Sequence, residues 1–492
     1  MTAAPAGERV RARTYLLSAA VLAAFLFLCH LPFLKLPFYW DELGQFVPAA
    51  LDIFQKGAWI PRSTVPNVHP PGVMAYLAAV WCVTGYSIAA TRLAMLALAT
   101  LGVAATLRLS VCMGLSTGAS SFAAGLLVVS PLFVAQSMMA QLDMPAMVFL
   151  ALALLLFLED RIILAALVSA VLVMVKETGL IAPGLFSLWL WTERRRREAL
   201  WFLLPVLPLL VWLIVLERGT GRLFGNAAFT QYNIWYPLHP VRLPLALVRR
   251  LYYLFVGTGH WIGTIAVILA LRNTTVFKTR AWRVAGSLVA GHVLLVSVLG
   301  GAVLERYLVP LLPVLYIGFS AALWRYRIRW RIVSATALGA ALIAGNFVNP
   351  PYPYPLENNL AFTDFVTLQS QAAECLEARV PQARMATMFP FAGALRRPEF
   401  GYVRHALHVR EIEDFSAAHV EPLAREDVAV LVLYSVAWDP LGLMQNRHWT
   451  SFLQKYYGYS PPVGPDEVPV LLGAHRVARW TRHGQWIEIY QR

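Results

Sequence analysis

Several short stretches of this chain carry ionisable side chains where the surrounding sequence is apolar. Phe38-Tyr39-Trp40 runs straight into Asp41-Glu42. A single carboxylate, Asp143, stands in Gln141-Leu142-Asp143-Met144-Pro145, and Lys176 opens Lys176-Glu177-Thr178-Gly179. Arg249-Arg250 precedes Tyr252-Tyr253, Glu305-Arg306-Tyr307 leads into Pro310 and Pro313, and His69 begins His69-Pro70-Pro71-Gly72. A carboxylate drawn partly out of water gains basicity, so Asp41 is a candidate general base. The structural alternative has Asp41 capping the next helix with Glu42 in its first turn, behind an interfacial aromatic belt. Asp143 also suits a helix start, because Pro145 fits a first turn. An Asp at mid-bilayer costs about 2.5–3.5 kcal/mol, so Asp143 belongs in a short outer turn or beside a wet cavity. Lys176 either pairs with Glu177 as a snorkelling couple or supplies charge for an anion. Arg306 has Glu305 as a natural partner, and a planar guanidinium also grips phosphate. Arg249 and Arg250 are candidates for the same work. His69 has no second His at ligand spacing, so it reads as structural and no metal site is expected.

These groups need elements to position them, and the composition says which kind. The chain has 492 residues, 58% hydrophobic and 14% charged, with a mean hydropathy of +0.58. Soluble proteins run about 45–50% apolar and about 25% charged. One large soluble enzyme and a disordered chain are both excluded, and a polytopic α-helical membrane protein is expected. The net charge of +14 fits lysines and arginines collecting at one membrane face rather than a nucleic-acid partner. The four cysteines form no CxxC or Cys/His pattern. Arg9, Arg11 and Arg13 precede an apolar span with no small-residue cleavage site, which reads as an uncleaved first helix.

Apolar runs near 15–34, 88–110, 118–138, 145–158, 162–176, 179–192, 199–216, 255–271, 284–301, 307–323 and 332–348 predict about eleven transmembrane helices. If they alternate, the basic residues near 9–13, 108, 161, 194–197, 278–283 and 325–331 share one face, the cytoplasmic one. Asp41, His69, Asp143, Lys176, Arg249, Arg250, Glu305 and Arg306 then share the other. The apolar segment 70–86 must lie along the membrane, since a crossing there would invert every later basic cluster; 43–59 is a second such interfacial candidate. Prolines at 350, 351, 353 and 355 read as a stiff linker. Residues 356–492 read as a small extracytoplasmic α/β domain, with a helix over 359–379, a buried strand over 428–434 and a hairpin turning at Gly484. Trp438, Trp449, Trp480 and Trp486 there serve core packing or sugar stacking.

The order of the motifs resembles the GT-C-type glycosyltransferases that use polyprenyl-phosphate-linked sugars, among them protein O-mannosyltransferases and the lipid A aminoarabinose transferase. The resemblance rests on Asp41-Glu42 after the first span, His69-Pro70-Pro71-Gly72, Arg92-Leu93, Asp143, Lys176-Glu177-Thr178-Gly179 and Arg306-Tyr307-Leu308 with Pro310 and Pro313, over about residues 1–350. It implies inverting transfer of a sugar from a polyprenyl-phosphate donor to a glycan, lipid or protein hydroxyl at the outer face. Carried over by position, Asp41 is the base, Glu42 positions the acceptor and Asp143 assists. Lys176, Arg306, Arg249 and Arg250 hold the donor phosphate, and His69, Tyr307 and Glu305 line the cavity. The chain reads His-Pro-Pro-Gly where the family commonly ends the motif in Leu, which bears on His69. No cofactor is required; some relatives use a divalent metal. A bacterial plasma membrane with a cytoplasmic N-terminus is the expected setting. A transporter or lipid flippase is the alternative from another class, but such proteins more often show internal repeats and mid-bilayer charges, and neither is evident here.

Overall fold

The computed structural model describes residues 6–492, with side chains from residue 14 onward. The side chains of Arg9, Arg11 and Arg13, expected as a basic cluster, lie outside the described residues. The described chain divides into two compact units, one of 6–31, 49–86 and 90–346, the other of 32–48, 87–89 and 347–492.

The first unit is helical. Five described helical stretches are long and apolar enough to cross a membrane unaided: Thr14–Phe33, Ile88–Cys112, Arg196–Thr220, Arg280–Val298 and Glu305–Leu323. Arg242–Phe255 and Gly257–Asn273, bent by 42° against each other, make a sixth if taken together. Other apolar helices are shorter, such as Thr117–Val129, Asp143–Leu158 and Ile162–Val175. At about 1.5 Å per residue these fall short of a ~30 Å hydrocarbon layer. To cross a membrane, these helices need the turns that flank them. The segment 118–138 shows one cause of shortening. Thr117–Val129 stops at Ser130, whose ψ of 128° is extended, and Pro131 opens a second helix, Pro131–Gln136. Proline excludes the α-conformation from the residue before it. The segment 70–86 forms one helix, Gly72–Thr84. Along 43–59 a π-turn, Glu42–Phe46, feeds the helix Val47–Lys56.

Ion pairs fix the grouping of one set of loops. Arg108 bonds Glu159 at 2.5 Å, Arg195 bonds Asp160 at 2.6 Å, and Arg280 bonds Glu193 at 2.7 Å. The loops near 108, 160, 194 and 280 thus lie together. The interior is packed by aromatics and small residues. Phe157 stacks on Phe186 with centroids 4.3 Å apart, and Phe202 meets both edge-on. Every residue of the helix Leu312–Leu323 is buried.

The second unit is an α/β layer. Its sheet has the order β2-β1-β3-β5-β4, with β1 Met385–Met388, β2 Val409–Ile412, β3 Val430–Tyr434, β4 His475–Arg482 and β5 Gln485–Gln491. β1 runs parallel to β2 and β3, and β3-β5-β4 is antiparallel. β3 is buried at every position, as its unbroken apolar sequence requires. Gly484, with φ of 86°, turns the β4–β5 hairpin. The helix Ala361–Arg379 is tied to that hairpin: Asp364 holds Arg482 and His483, and the Gln485 amide donates to the Ala361 carbonyl.

The early segment 32–48 is part of this unit. Phe38 and Tyr39 are buried. The Phe38 ring meets Phe400 edge-on at 6.4 Å, and the Tyr402 hydroxyl donates to the Phe38 carbonyl at 2.8 Å. Tyr39 packs on Phe362 and Phe365, and Trp40 on Phe389. The aromatics read from sequence as an interfacial belt are thus packing anchors. Burial among other rings stabilises them more than a half-exposed position at an interface.

Candidate functional site

In the first unit, side chains far apart in sequence meet around one tyrosine ring. Asp143 begins the helix Asp143–Leu158, and Lys176 follows the end of Ile162–Val175 in extended conformation. These two helices are joined by a short loop and pack along their length, so their far ends meet. There the Lys176 ammonium donates to Asp143 Oδ1 at 2.6 Å. Lys176 is 7% exposed and Asp143 3%, so the pair is shielded and its Coulomb attraction is little screened. Arg306 comes from the turn Glu305–Leu311. It donates to Gln141 Oε1 at 2.6 Å, and its Nε lies 3.6 Å from Asp143 Oδ2.

Tyr307 sits in the middle of these cations. The Lys176 ammonium is 4.3 Å from its ring centroid, the Arg250 guanidinium 5.6 Å and the Arg306 guanidinium 5.7 Å. An aromatic face attracts cations through its quadrupole, so one ring helps gather three positive groups. His292 fixes the ring's backbone, its Nε2 lying 2.8 Å from the Tyr307 carbonyl oxygen. Arg250 is buried and donates to the Leu304 and Val296 carbonyls at 3.2 and 2.6 Å. Arg249, on the same helix, is partly exposed and donates to Glu305 at 2.6 Å.

His69 and Glu177 form a neighbouring pair, with His69 Nδ1 2.9 Å from Glu177 Oε2. Burial pushes the Glu177 carboxyl up. The His69 charge and hydrogen bond, together with Lys176, outweigh that and hold it below the ordinary carboxylate value. The glycine that ends His69-Pro70-Pro71-Gly72 has a local cause. A Cβ on Gly72 would stand 2.4 Å from the Met174 carbonyl oxygen. Only glycine lets His69-Pro70-Pro71 approach the helix end that presents Lys176 and Glu177.

The sequence-predicted residues Asp143, Lys176, Arg249, Arg250, Glu305, Arg306, Tyr307, His69 and the adjoining Glu177 therefore converge within the first unit. The four cations Lys176, Arg249, Arg250 and Arg306 outnumber the three carboxylates Asp143, Glu177 and Glu305 by one. Such an excess suits an anion. Gln141 and His292 were not singled out by sequence. Gln141 is a neutral side chain next to a noticed Asp, and His292 is a single histidine inside an apolar helix, so neither carries a pattern. Arg92 is fully buried and donates to the Met138 carbonyl at 2.9 Å, which braces the turn ahead of Gln141 and Asp143. Among the described residues no group of three or more His, Cys, Asp or Glu side chains is disposed to hold a metal ion.

Asp41 and Glu42 belong to the second unit. Trp40 takes a left-handed conformation, φ 48°, which turns the chain sharply. Asp41 follows at the N-cap position of Glu42–Phe46 without a capping bond. Glu42 is fully buried, and its carboxylate accepts the Tyr39 amide proton at 2.9 Å. Glu42 thereby holds the bend, and Asp41 is left half-buried at its apex. A loop held this way fixes a carboxylate's direction, which a base requires.

No protein-family model matches the chain, and no curated protein matches it by sequence. Solved structures do. ArnT from Cupriavidus metallidurans in the apo state superposes with a TM-score of 0.59 at 14% identity, over 98% of this chain and 98% of that one. The same protein bound to undecaprenyl phosphate gives 0.54 at 16% identity, over 99% and 98%. The mycobacterial arabinofuranosyltransferase AftD gives 0.47 at 15% identity, covering 97% of this chain and 40% of that one. The chain has the fold of ArnT from end to end.

Proposed function

We propose that this chain, built on the ArnT fold, is an integral-membrane glycosyltransferase that moves a sugar from a polyprenyl-phosphate donor to an acceptor hydroxyl. The observation that carries the reading is the buried gathering of Lys176, Arg250 and Arg306 around Tyr307, in a fold whose solved example holds undecaprenyl phosphate. The donor is a phosphodiester and the released carrier a phosphomonoester, so negative charge grows on the phosphate as the glycosidic bond breaks. Fixed cations at that phosphate stabilise the transition state more than the ground state. Arg306 and Lys176 supply most of this charge, with Arg249 and Arg250 behind them. Asp143 holds Lys176 and Arg306 in register.

Asp41 takes the proton from the acceptor hydroxyl as that oxygen displaces the phosphate at the anomeric carbon, with inversion of configuration. Glu42 keeps the Asp41 bend in place. The acceptor is a glycan, lipid or protein hydroxyl. The reaction runs at the face away from the arginine-rich loops, with the N-terminus cytoplasmic, the second unit outside and the chain in the plasma membrane. The grouping of the loops by their ion pairs supports that orientation. The test uses purified full-length protein, polyprenyl-phosphate sugars and a panel of acceptors. A positioned base contributes roughly 10²–10⁴-fold, so Asp41→Asn is expected to lose transfer by that factor while still binding the carrier lipid. Transfer at the wild-type rate by Asp41→Asn refutes the assignment of the base. Translocation of the sugar lipid by the wild-type protein without any transfer refutes the enzymatic reading.

A further inference from the structure

Arginines on the face opposite the proposed catalytic site fall into two sets. Arg108, Arg161, Arg195 and Arg280 each lie within salt-bridge distance of a carboxylate. Others are exposed and have no carboxylate partner among the described residues, among them Arg272, Arg325 and Arg327. These three share one place. A groove of about 490 Å³ runs between the helices His260–Asn273 and Ile328–Ala344. Its walls are apolar, with Ile265, Ala266 and Leu269 on one side and Trp330, Val333 and Ala337 on the other. Tyr326 also lines it and donates to the Ala266 carbonyl at 3.4 Å.

Helical spacing carries the lining to the charges. Arg272 follows Leu269 by three residues and Ile265 by seven, so it continues the same stripe one turn further on. Arg325 and Arg327 flank Tyr326 at the start of the other wall. Both walls thus end in arginine at the same mouth. We propose that this groove is a binding site for an anionic glycerophospholipid, with one acyl chain along the apolar walls and the headgroup phosphate between Arg272 and Arg325/Arg327.

The open groove of about 490 Å³ offers an apolar bed for an acyl chain. Charge selects the headgroup, since a zwitterionic lipid brings no net charge to three unneutralised arginines. Each arginine near an anionic lipid surface strengthens binding roughly five-fold. The site stands apart from the Tyr307 cluster and does not depend on the glycosyltransferase reading.

The test is native mass spectrometry of the full-length protein released from nanodiscs holding equal phosphatidylglycerol and phosphatidylcholine. Wild type is expected to retain phosphatidylglycerol selectively. Arg272→Gln with Arg325→Gln and Arg327→Gln should lower that retention by at least ten-fold. Ala337→Trp, which fills the groove and keeps every charge, should lower it too. Arg108→Gln, which removes a paired arginine, should leave it unchanged, so a general loss of positive charge is distinguished from loss of this site. Size-exclusion profiles matching wild type establish that each variant is folded; a variant that fails this is replaced by Ser334→Trp. Equal retention of the two lipids by wild type, undiminished phosphatidylglycerol on the triple variant, or competition by polyprenyl phosphate for the same position overturns the proposal.

Discussion

Replacing Lys176 by Gln separates the two duties assigned to it. Its ammonium donates to Asp143 at 2.6 Å, and both side chains are almost wholly buried. Removing the ammonium leaves buried Asp143 with only Arg306, at 3.6 Å, for compensation, and the loss is bounded by the roughly 3–5 kcal/mol of an uncompensated buried charge. The same ammonium is proposed to hold the donor phosphate. A charge-assisted hydrogen bond of that kind contributes about 1.5–3 kcal/mol, or roughly 10–150-fold in affinity. The two losses part company in a double variant. Lys176→Gln with Asp143→Asn leaves two neutral amides of nearly the original shape, so most of the lost stability should return. Affinity for the carrier lipid should not return, because the positive charge is still absent. Thermal unfolding and direct titration with undecaprenyl phosphate read the two quantities on the same preparations. A double variant that binds undecaprenyl phosphate as tightly as wild type refutes the role given to Lys176. A single variant as stable as wild type refutes the pairing argument instead.

Three further outcomes are expected. Gly72→Ala should lower the melting temperature and the transfer rate together, since its Cβ would stand 2.4 Å from the Met174 carbonyl oxygen and overpacking costs about 1–3 kcal/mol; a variant matching wild type in both refutes the close-approach reading. Asp52 accepts the Arg62 and Ser63 amides, each at 2.7 Å. Burial raises its carboxyl, but those bonds and Lys56 bring it below the ordinary 3.8. Its contribution is therefore full above pH 3.8 and fades as pH falls through the lower folded value, and the stability gap between wild type and Asp52→Asn should close on acidification. His419 behaves with the opposite sign: its hydrogen bond to Asp414 raises it above 6.5. The gap between wild type and Asp414→Asn should be full below pH 6.5 and shrink as pH rises through the raised value, as followed by thermal melts or by titration of the His419 ring signals.

Much of the site could be read from the chain because charges within apolar sequence have few permitted places. Asp143, Lys176, Arg306 and Arg250 had to leave the hydrocarbon at its boundary or pair inside the protein, and alternation of spans assigned them one face. The side-chain pairings followed from no such rule. That Tyr307 presents its ring to three cations depends on how several helices meet, which local patterns do not encode. The hairpin of β4 and β5 was legible from the two strand-like runs that flank Gly484. β1 and β2 were not, because four residues such as Met385–Met388 are too short to show a period and their parallel pairing joins segments distant in sequence. The aromatics at 38–40 were misplaced for a related reason. A buried ring and an interfacial ring have the same sequence signature until the partner is known, and here the partners are Phe400, Phe362 and Phe389.

That last packing carries a consequence for biogenesis. The Tyr402 hydroxyl and the Phe38 carbonyl it meets are separated by 364 residues. During synthesis, Phe38 and Tyr39 leave the ribosome long before any of the rings that enclose them. Domains usually mature from the N-terminus as they emerge, and contacts this remote form late. The early segment must wait, apolar and unsheltered, until translation is nearly complete. A stop codon placed just after residue 346 would strand it permanently, and the truncated product should be a target for proteolysis.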